Sequence, residues 1–358
     1  MARPRLRDLG ITIGRLPTGP FNAITDVPGV RVGHTTFISD EPCMARTGVT
    51  IVAPRPGPTW QDHVFAGWHS FNGCGEMTGL HWITESGRLG SEIALTGTFS
   101  VGAVHDAMVA YAVENESPAL LPVVGETYDG YLSDGSAFCI GREEVFAAIA
   151  AAADGPVAEG NVGSGTGMMC YDFKGGIGTA SRVAETKSGP YTVGALVQAN
   201  HGDRPDLRMD GVPVGREIGP EHTPTPGNIA PESGSSILII VATDAPLLPF
   251  QCQRLARRAT VGLARTGTIG HNWSGDIFLG FSTANHLPPQ PNGPHPVEML
   301  PNAQMDPIFL AVAEAVEEAI LNVLCAAETM TGWQGHIAYA LPLDALVEVM
   351  RKYHRLGA

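Results

Sequence analysis

A serine at the start of a strongly apolar run is the sharpest chemical feature of the sequence. The small, flexible stretch Pro231-Glu-Ser-Gly-Ser-Ser236 is followed directly by Ile-Leu-Ile-Ile. A serine hydroxyl in this position can attack the preceding carbonyl, and hydrolysis then leaves the serine as a new amino terminus. Its α-amino group, with an ordinary pKa of ~7.7–8.0, can serve as the base for the same hydroxyl. The alternative is a loop that ends in an ordinary strand.

Glycine and histidine patterns argue against several other chemistries. The block Gly160–Gly167 contains GxGxG but neither GxGxxG nor GxxxxGK, so tight turns are favoured over phosphate binding. The 12 histidines stand singly, and neither HExxH nor CxxC occurs, which predicts no metal and no cofactor. The sequence also lacks GxSxG, which argues against a standard α/β-hydrolase.

The composition predicts a folded enzyme with a small-molecule or peptide substrate. Hydrophobic residues make up 44% of the 358 residues and charged residues only 16%. A formal net charge of -14 argues against nucleic-acid binding, which needs clustered Lys and Arg. Acidic groups inside a pocket would suit a substrate that carries a free ammonium.

The cysteines and the amino-terminal sequence predict the compartment. Six cysteines form no regular framework, so reduced, buried thiols are expected. The first residues contain no apolar signal region, and no run reaches the ~18 apolar residues that a membrane span needs. We therefore expect a cytoplasmic protein without a membrane partner.

Hydrophobic periodicity predicts sheets covered by helices, in an α/β or α+β arrangement. Strands are expected at 22–34 after a turn, at 48–52, 120–124, 191–200, 236–244 and 277–282, and helices at 97–114, 142–153, 249–265 and 307–326. The polar residues 125–130 are expected in a loop after a strand. Residues 201–235, which are rich in proline and glycine, are expected to form an exposed loop or linker.

Six segments of the sequence resemble a known family. They are 24–34, 124–130, 160–167, 197–200, Ser236-Ile-Leu-Ile-Ile-Val-Ala-Thr-Asp-Ala-Pro-Leu247 and Asn272-Trp-Ser-Gly-Asp276. They resemble the β-aminopeptidase and L-aminopeptidase/D-amidase/esterase (DmpA-type) family of N-terminal-nucleophile hydrolases, and the resemblance covers nearly the whole length.

The resemblance implies a fold and a maturation by self-cleavage. It implies a four-layer α/β/β/α sandwich, similar to other N-terminal-nucleophile hydrolases but with different strand connectivity. It also implies a proenzyme that cleaves itself into a larger subunit, 1–235, and a smaller one, 236–358, which together form one catalytic domain. A homotetramer of processed protomers without a metal is expected.

Two adjacent serines, Ser235 and Ser236, flank the implied cleavage site. Counted back from the Ser-Gly-acid motif and the Ile-Leu-Ile-Ile run, the family's nucleophile falls on Ser236. Ser235 then stands before the cut, where the family usually has glycine. Cleavage after Gly234 would restore the usual junction and make Ser235 the nucleophile, so both serines remain candidates and Ser236 is preferred.

The resemblance also implies roles for other residues. Ser274 and Asp276 match the Ser-Gly-acid motif that orients the nucleophile's amino group. Asn200 matches the oxyanion-hole amide. Tyr128 matches a tyrosine that lines the site, and Glu126 matches the carboxylate that pairs with the substrate's ammonium.

The function expected from these residues is a self-processing serine aminopeptidase or amidase. It would release amino-terminal β-, D- or L-amino acids from short peptides, amides or esters. One alternative is an acyltransferase of the ornithine acetyltransferase type, although that type uses an amino-terminal threonine. The other is a non-catalytic binding or assembly protein that kept the fold.

Overall fold

A computed structural model describes residues 3–117, 121–226 and 235–356. Its α-helices are α1 (Leu80–Ser86), α2 (Val101–Glu114), α3 (Arg142–Ala150), α4 (Val214–Glu217), α5 (Pro249–Arg265), α6 (Met305–Ala326) and α7 (Leu343–Lys352). Its strands are β1 (Arg31–Ser39), β2 (Ala45–Ala53), β3 (His63–Ser70), β4 (Arg88–Leu89), β5 (Ile93–Gly97), β6 (Val123–Thr127), β7 (Met169–Cys170), β8 (Phe173–Lys174), β9 (Gly176–Thr186), β10 (Gly189–Asn200), β11 (Ser235–Thr243), β12 (Ser274–Leu287), β13 (Met330–Thr331) and β14 (Ile337–Ala338). No helix within these ranges is long and apolar enough to cross a membrane.

Two mixed sheets form the centre of the protein. The smaller has four strands in the order β1-β2-β5-β6, and the larger has six in the order β4-β3-β12-β11-β10-β9. Most neighbours are antiparallel, but β5 runs parallel to β6 and β11 runs parallel to β12. Each parallel pair is joined through a helix, α2 and α5 respectively, because parallel strands need a long crossover.

Strand β11 shows why the sheets stack. Its side chains alternate between two apolar cores: Leu238 and Ile240 pack between the sheets, whereas Ile237 and Ile239 pack under the helices. A strand buried on both faces reads as a continuous apolar run, which is what Ile-Leu-Ile-Ile is. The most apolar strand therefore lies in the interior of the larger sheet.

Helices cover the outer face of each sheet. Helices α2 and α3 pack on the smaller sheet through Val104, Met108 and Val145. Helices α5 and α6 pack on the larger sheet through Leu255, Ala259 and Val316. The layers follow the order helix, sheet, sheet, helix, which confirms the predicted α/β/β/α sandwich.

The glycine block 160–167 lies between the sheets as turns. It contains a short 3-10 helix, Gly163–Gly165, and Gly163 has a φ of +52°. A Cβ on Gly163 would lie 2.4 Å from Thr50 Oγ1 on β2. The block is built for close packing against a strand, as the turn interpretation predicts.

Two predicted strand boundaries are wrong. Glu126 does not lie in a loop: it lies on β6, whose hydrogen bonding to β5 continues to Thr127. Ser274 and Asp276 belong to β12 itself, which begins three residues earlier than 277 and ends at Leu287.

The prediction of an exposed linker at 201–235 is wrong for its first half. Leu207, Met209 and Val214 are fully buried in the core under the larger sheet. The guanidinium of Arg204 donates to the backbone carbonyls of Tyr171 and Asp172, at 3.0 and 2.6 Å, and to that of Thr223 at 3.1 Å. These bonds satisfy carbonyls that regular structure would otherwise pair. Residues 227–234 lie outside the described residues.

The prediction of buried cysteines holds for only half of them. Cys170, Cys252 and Cys325 are buried, Cys74 is exposed, and Cys43 and Cys139 are half-buried.

Candidate active site

Ser236 lies where two neighbouring strands bring polar residues to one end of the larger sheet. On β10 its directly paired residue is Asn200, and on β12 it is Gly275. The backbone N–H of Gly275 donates to Ser236 Oγ at 3.0 Å. The serine is 3% exposed, so its hydroxyl is held in a fixed, desolvated position.

The two adjacent serines face opposite sides of β11. Side chains alternate along a strand, so Ser236 shares the face of Leu238 between the two sheets. Ser235 faces the other way, where its hydroxyl accepts from the N–H of Gly202 at 3.2 Å. Asn200, paired directly with Ser236, faces the same side as Ser236.

Ser274 and Asp276 form a hydrogen-bonded pair on the neighbouring strand. The Ser274 hydroxyl donates to Asp276 Oδ1 at 2.6 Å, and the side-chain amide of Asn72 donates to Oδ2 at 3.1 Å. Burial raises the pKa of Asp276, and the hydrogen bonds from Ser274, Asn72 and the backbone of Ile237 offset part of that rise. Both side chains flank Gly275 and face the side opposite to the Ser236 hydroxyl. They are therefore positioned to contact the backbone of Ser236 and not its hydroxyl.

Asn200 joins three segments of the chain. Its Oδ1 accepts from the N–H of Met169 at 2.8 Å, and its Nδ2 donates to the carbonyl of Tyr128 at 3.0 Å. The segment before Met169 is fixed by Lys174, whose buried Nζ donates to the carbonyls of Met168 and Gly175. Burial lowers the pKa of this lysine to about 7. The orientation of the Asn200 amide is thus determined by contacts on both of its ends.

Glu126 is a buried carboxylate at the edge of this arrangement. Its Oε1 accepts from the N–H of Glu76 at 2.9 Å, and its Oε2 accepts from the hydroxyl of Thr98. A Cβ on Gly75 would lie 3.2 Å from Glu126 Oε1 and 3.1 Å from Gly275 Cα. Gly75 therefore lies close to both the carboxylate and the strand that pairs with Ser236.

The charge around Glu126 is negative. Burial raises its pKa, the hydrogen bonds from Thr98 and Glu76 lower it, and the carboxylate of Glu76 raises it further. Burial, with a smaller contribution from the charge of Glu126, also raises the pKa of the neighbouring Asp129 to about 6. Within the part of the chain that the structure describes, neither Arg nor Lys forms an ion pair with Glu126. The cluster suits a cation that comes from outside the chain.

Tyr128 follows Glu126 and is half-buried. Its carbonyl holds Asn200, and its ring lies 6.0 Å from that of Phe99. A Cβ on Gly130 would lie 2.3 Å from the Tyr128 hydroxyl oxygen, so the phenol folds back over that glycine. Tyr128 therefore contacts Asn200 through its backbone carbonyl.

Sequence reasoning missed two residues that support the site. Asn72 holds Asp276, and Thr98 holds Glu126. Asn72 lies in Phe71-Asn-Gly-Cys-Gly75, directly after β3. This sequence predicts a turn, but it does not predict that Asn72 contacts Asp276. Thr98 lies shortly before helix α2, where a threonine is typical of a helix cap and does not indicate a carboxylate partner.

A group of possible metal ligands lies near the surface. Ligand atoms of Asp203, Asp206 and His271 lie within 4.8 Å of one another. The Nε2 atom of His271 is 3.4 Å from Asp203 and 3.8 Å from Asp206, and Asp203 is exposed. The separations of His271 from the two carboxylates are those of ordinary surface contacts between side chains, so this group gives no reason to assign a metal.

Comparison with known proteins identifies the family of this chain. The family model of peptidase family S58 matches residues 22–338. The chain belongs to this family. Over 99% of this chain and 94% of its relative, it is 47% identical to the β-peptidyl aminopeptidase BapA of Sphingosinicella microcystinivorans. Membership of family S58 and the similarity to this relative make the protein an aminopeptidase.

Two solved structures show the S58 fold at high similarity. A β-aminopeptidase from a Burkholderia species superposes with a TM-score of 0.92 at 48% identity, with 99% of each chain covered. The L-aminopeptidase D-Ala-esterase/amidase of Ochrobactrum anthropi superposes with a TM-score of 0.90 at 45% identity, covering 99% of this chain and 100% of that one. The latter is described as a prototype of the serine aminopeptidases and a variant of the N-terminal-nucleophile hydrolase fold. This protein shares that fold.

Proposed function

We infer that this aminopeptidase cuts itself before Ser236 and uses the released serine to remove amino-terminal residues from short peptides, amides or esters. The observation that carries the proposal is the strand register, which pairs Ser236 with both Asn200 and Gly275. The name of the relative BapA supports β-amino-acid residues among the substrates.

The first step is self-cleavage. The Ser236 hydroxyl attacks the Ser235 carbonyl carbon, and the peptide C–N bond breaks to give an ester and a free amino group. Water then hydrolyses the ester, which leaves a carboxylate on Ser235 and restores the hydroxyl. The burial of Ser236 and the bond from the N–H of Gly275 support this geometry, because they hold the oxygen in place.

The second step is catalysis by the new terminus. The α-amino group accepts the proton of the Ser236 hydroxyl as the oxygen attacks the substrate carbonyl. Ser274 and Asp276 hold that amino group, and Asn200 donates to the oxyanion that forms. The bond from the carbonyl carbon to the leaving group then breaks, and the α-ammonium returns its proton to that group as it departs. Water hydrolyses the acyl-enzyme ester, which releases the acid and restores the Ser236 hydroxyl. Tyr128, through the carbonyl that fixes Asn200, positions the amide and lines the site.

Glu126 supplies a reason for removing residues from an amino terminus. A substrate's free ammonium loses hydration when it enters the site, and that loss is large unless the charge is paired. The buried carboxylate, held by Thr98 and Glu76, offers such a partner. A residue inside a longer chain has no ammonium to place there.

The processed enzyme would consist of residues 1–235 and 236–358 in one catalytic domain. Strands of both pieces lie side by side in the larger sheet, which supports a complex that stays together after the cut. We further propose a homotetramer located in the cytoplasm. The acyltransferase alternative is not favoured because position 236 is serine and not threonine.

A denaturing gel with amino-terminal sequencing tests the proposal. In proportion to the lengths 235 and 123, the 37.6 kDa chain should give fragments of roughly 25 and 13 kDa, the smaller beginning Ser-Ile-Leu-Ile. Ser236→Ala should remain a single inactive chain, whereas the matched Ser235→Ala should still be processed. A fragment beginning Ser-Ser-Ile would move the nucleophile to Ser235, and an intact wild-type chain with full activity would refute the mechanism.

A further inference from the structure

We propose that Cys43 and Cys139 are an oxidative modification site, at which a small-molecule disulfide converts two neighbouring thiols into an intramolecular disulfide. The proposal rests on the position of the two sulfur atoms, which are separated by 96 residues in sequence and by 2.9 Å in space. It is independent of the catalytic mechanism.

Hydrogen bonds hold the two cysteines together. Cys43 lies in the connection between β1 and β2, and Cys139 lies just before α3. The N–H of Asp134 donates to the Met44 carbonyl, and the N–H of Arg46 donates to Ser133 Oγ, each at 2.8 Å. The segment that leads to Cys139 is therefore fastened to the residues that directly follow Cys43.

Closing the bond requires little movement. A disulfide has an S–S length of ~2.0 Å, so the two atoms must approach by about 0.9 Å from their separation of 2.9 Å. Both cysteines lie in connections between regular elements, where backbone adjustment is easier than inside a strand. Both are half-buried, so a small reagent can reach them, whereas the buried Cys170, Cys252 and Cys325 are shielded.

The order of the two thiols follows from their surroundings. Burial, the neighbouring Cys43 thiol and the charges of Asp134 and Glu144 together raise the pKa of Cys139 to about 12. The thiolate is the reactive form, so Cys139 is a poor first nucleophile and the reaction begins at Cys43. The negative charges of Asp134 and Glu144 also disfavour anionic oxidants such as oxidised glutathione.

The reaction is balanced by the reagent. The Cys43 thiolate attacks one sulfur of the small disulfide, which forms a mixed disulfide and expels one thiolate. Cys139 then loses its proton to solvent and attacks the Cys43 sulfur, which expels the second thiolate. The two cysteines lose two electrons, and the small disulfide is reduced to two thiols.

The decisive measurement is a peptide map of the purified, reduced full-length protein after incubation with neutral 2-hydroxyethyl disulfide. Remaining thiols are alkylated and the protein is digested without reduction. We expect one cross-linked peptide pair that contains Cys43 and Cys139, with a loss of about 2 Da from the two hydrogen atoms removed. Separate alkylation of both cysteines, or a Cys43 adduct that persists in the wild-type protein, would overturn the proposal.

Variants identify the steps. Cys139→Ser should trap the reagent as a stable adduct on Cys43, because the resolving thiol is gone. Cys74→Ser is the matched control, since it removes the exposed thiol and should leave the cross-link unchanged. A cross-link from Cys43 or Cys139 to Cys74 would contradict the assignment.

Thermal unfolding shows whether the bond fits the folded protein. Oxidation should raise the midpoint, because the cross-link closes a long loop and restricts the unfolded chain. Dithiothreitol should return the midpoint to its starting value. A midpoint that is unchanged or lower after oxidation would mean that the bond forms only in an opened conformation, which would refute a site built into the fold.

Discussion

Glu126 can be tested as an ammonium partner by removing its charge. We predict that Glu126→Gln raises KM for substrates with a free amino terminus by roughly 10- to 100-fold, the scale of ~1.5–3 kcal/mol for a hydrogen bond to a charged group. Self-cleavage should continue, because that step involves no substrate ammonium. Steady-state kinetics and a denaturing gel measure the two effects. Glu76→Gln is the control, since the exposed Glu76 bonds Glu126 only through its backbone.

The same carboxylate predicts an acid limb in the pH profile. Burial places the pKa of Glu126 above its ordinary value, and protonation removes the charge that pairs with the substrate. Protonation of the Ser236 α-amino base lowers kcat/KM in both proteins. The wild type should show a further fall as pH decreases through the raised pKa of Glu126, and Glu126→Gln should lack that second limb. Glu76→Gln should shift the limb to lower pH, because the Glu76 charge contributes to the rise. An unchanged second acid limb in Glu126→Gln would show that the charge of Glu126 does not contribute to substrate binding.

Asn200 is expected to act on the transition state. We predict that Asn200→Ala lowers kcat by ~10²–10³-fold, the usual scale for an oxyanion-hole donor. Because Asn200 also joins Met169 to Tyr128, thermal unfolding must be measured beside the kinetics. Gln198→Ala is a matched control on the same strand: its amide donates to Thr96 and Thr127 and should affect stability only. Equal kcat losses in both variants would indicate a structural role for Asn200.

Residue type and local spacing could name the candidate residues but not their partners. Ser236, Ser274 and Asp276 stand beside recognisable apolar runs or in a short motif. The contacts from Asn72 and Thr98 to Asp276 and Glu126 depend on how distant strands align. Strand register is determined by the whole sheet and its turns, so no local pattern could predict these contacts.

At the scale of elements, helix and strand bounds could be predicted best where the apolar residues follow one clear periodicity. Helix α5 has the predicted bounds, 249–265, because one face is apolar and Pro249 begins it. Residues 201–218 were mispredicted because turn residues usually mean exposure. There Arg204, whose guanidinium also lies 3.4 Å from the centre of the Phe173 ring, bonds the backbone and makes burial of an irregular segment possible.

Glycine packing between helix α6 and strand β9 provides a test of the layer contacts. A Cβ on Gly178 would lie 2.1 Å from the Ala319 carbonyl oxygen, and that backbone atom cannot rotate away. We predict that Gly178→Ala lowers the free energy of unfolding by about 1–3 kcal/mol, the usual cost of overpacking. Denaturant or thermal unfolding measures the change.

Gly102 in α2 is the matched control, because a Cβ there meets nothing within 4 Å. Gly102→Ala should stabilise the protein by up to about 1 kcal/mol, since alanine is the better helix former. A Gly178→Ala protein as stable as the wild type would mean that α6 can shift away from the sheet.

At the scale of the whole molecule, Glu318 joins helix α6, late in the chain, to the segment near the amino terminus and to β9. It is fully buried and accepts bonds from Arg7 and Asn22 near the amino terminus and from Arg182 on β9, at 2.5 to 2.8 Å. Burial alone would raise its pKa, but the bonds from Arg7, Arg182 and Asn22 outweigh burial and hold the pKa below its ordinary value.

We predict that Glu318→Ala lowers the free energy of unfolding at neutral pH by about 3–5 kcal/mol, because it leaves Arg182 buried without this partner. A depressed folded-state pKa contributes stability above the unfolded pKa, and that stability is lost as pH falls through the folded pKa. Wild type and variant should therefore converge in acid. The exposed pair of Arg142 and Asp106 is the control, and Asp106→Asn should cost at most about 1 kcal/mol. A pH-independent difference would exclude the charge as the cause.

The strand order of the larger sheet has a consequence for refolding. Strands β11 and β12 lie between β3 and β10 in the larger sheet. A cut before Ser236 therefore leaves these two middle strands on the smaller piece and the flanking strands on the larger piece. The uncut chain can rebuild this sheet alone, in a reaction whose rate does not depend on concentration. Once cut, the pieces must first meet, so recovery from denaturation becomes second order and fails on dilution. Self-cleavage would thus convert a protein that can refold alone into one whose folded state is maintained mainly by slow unfolding.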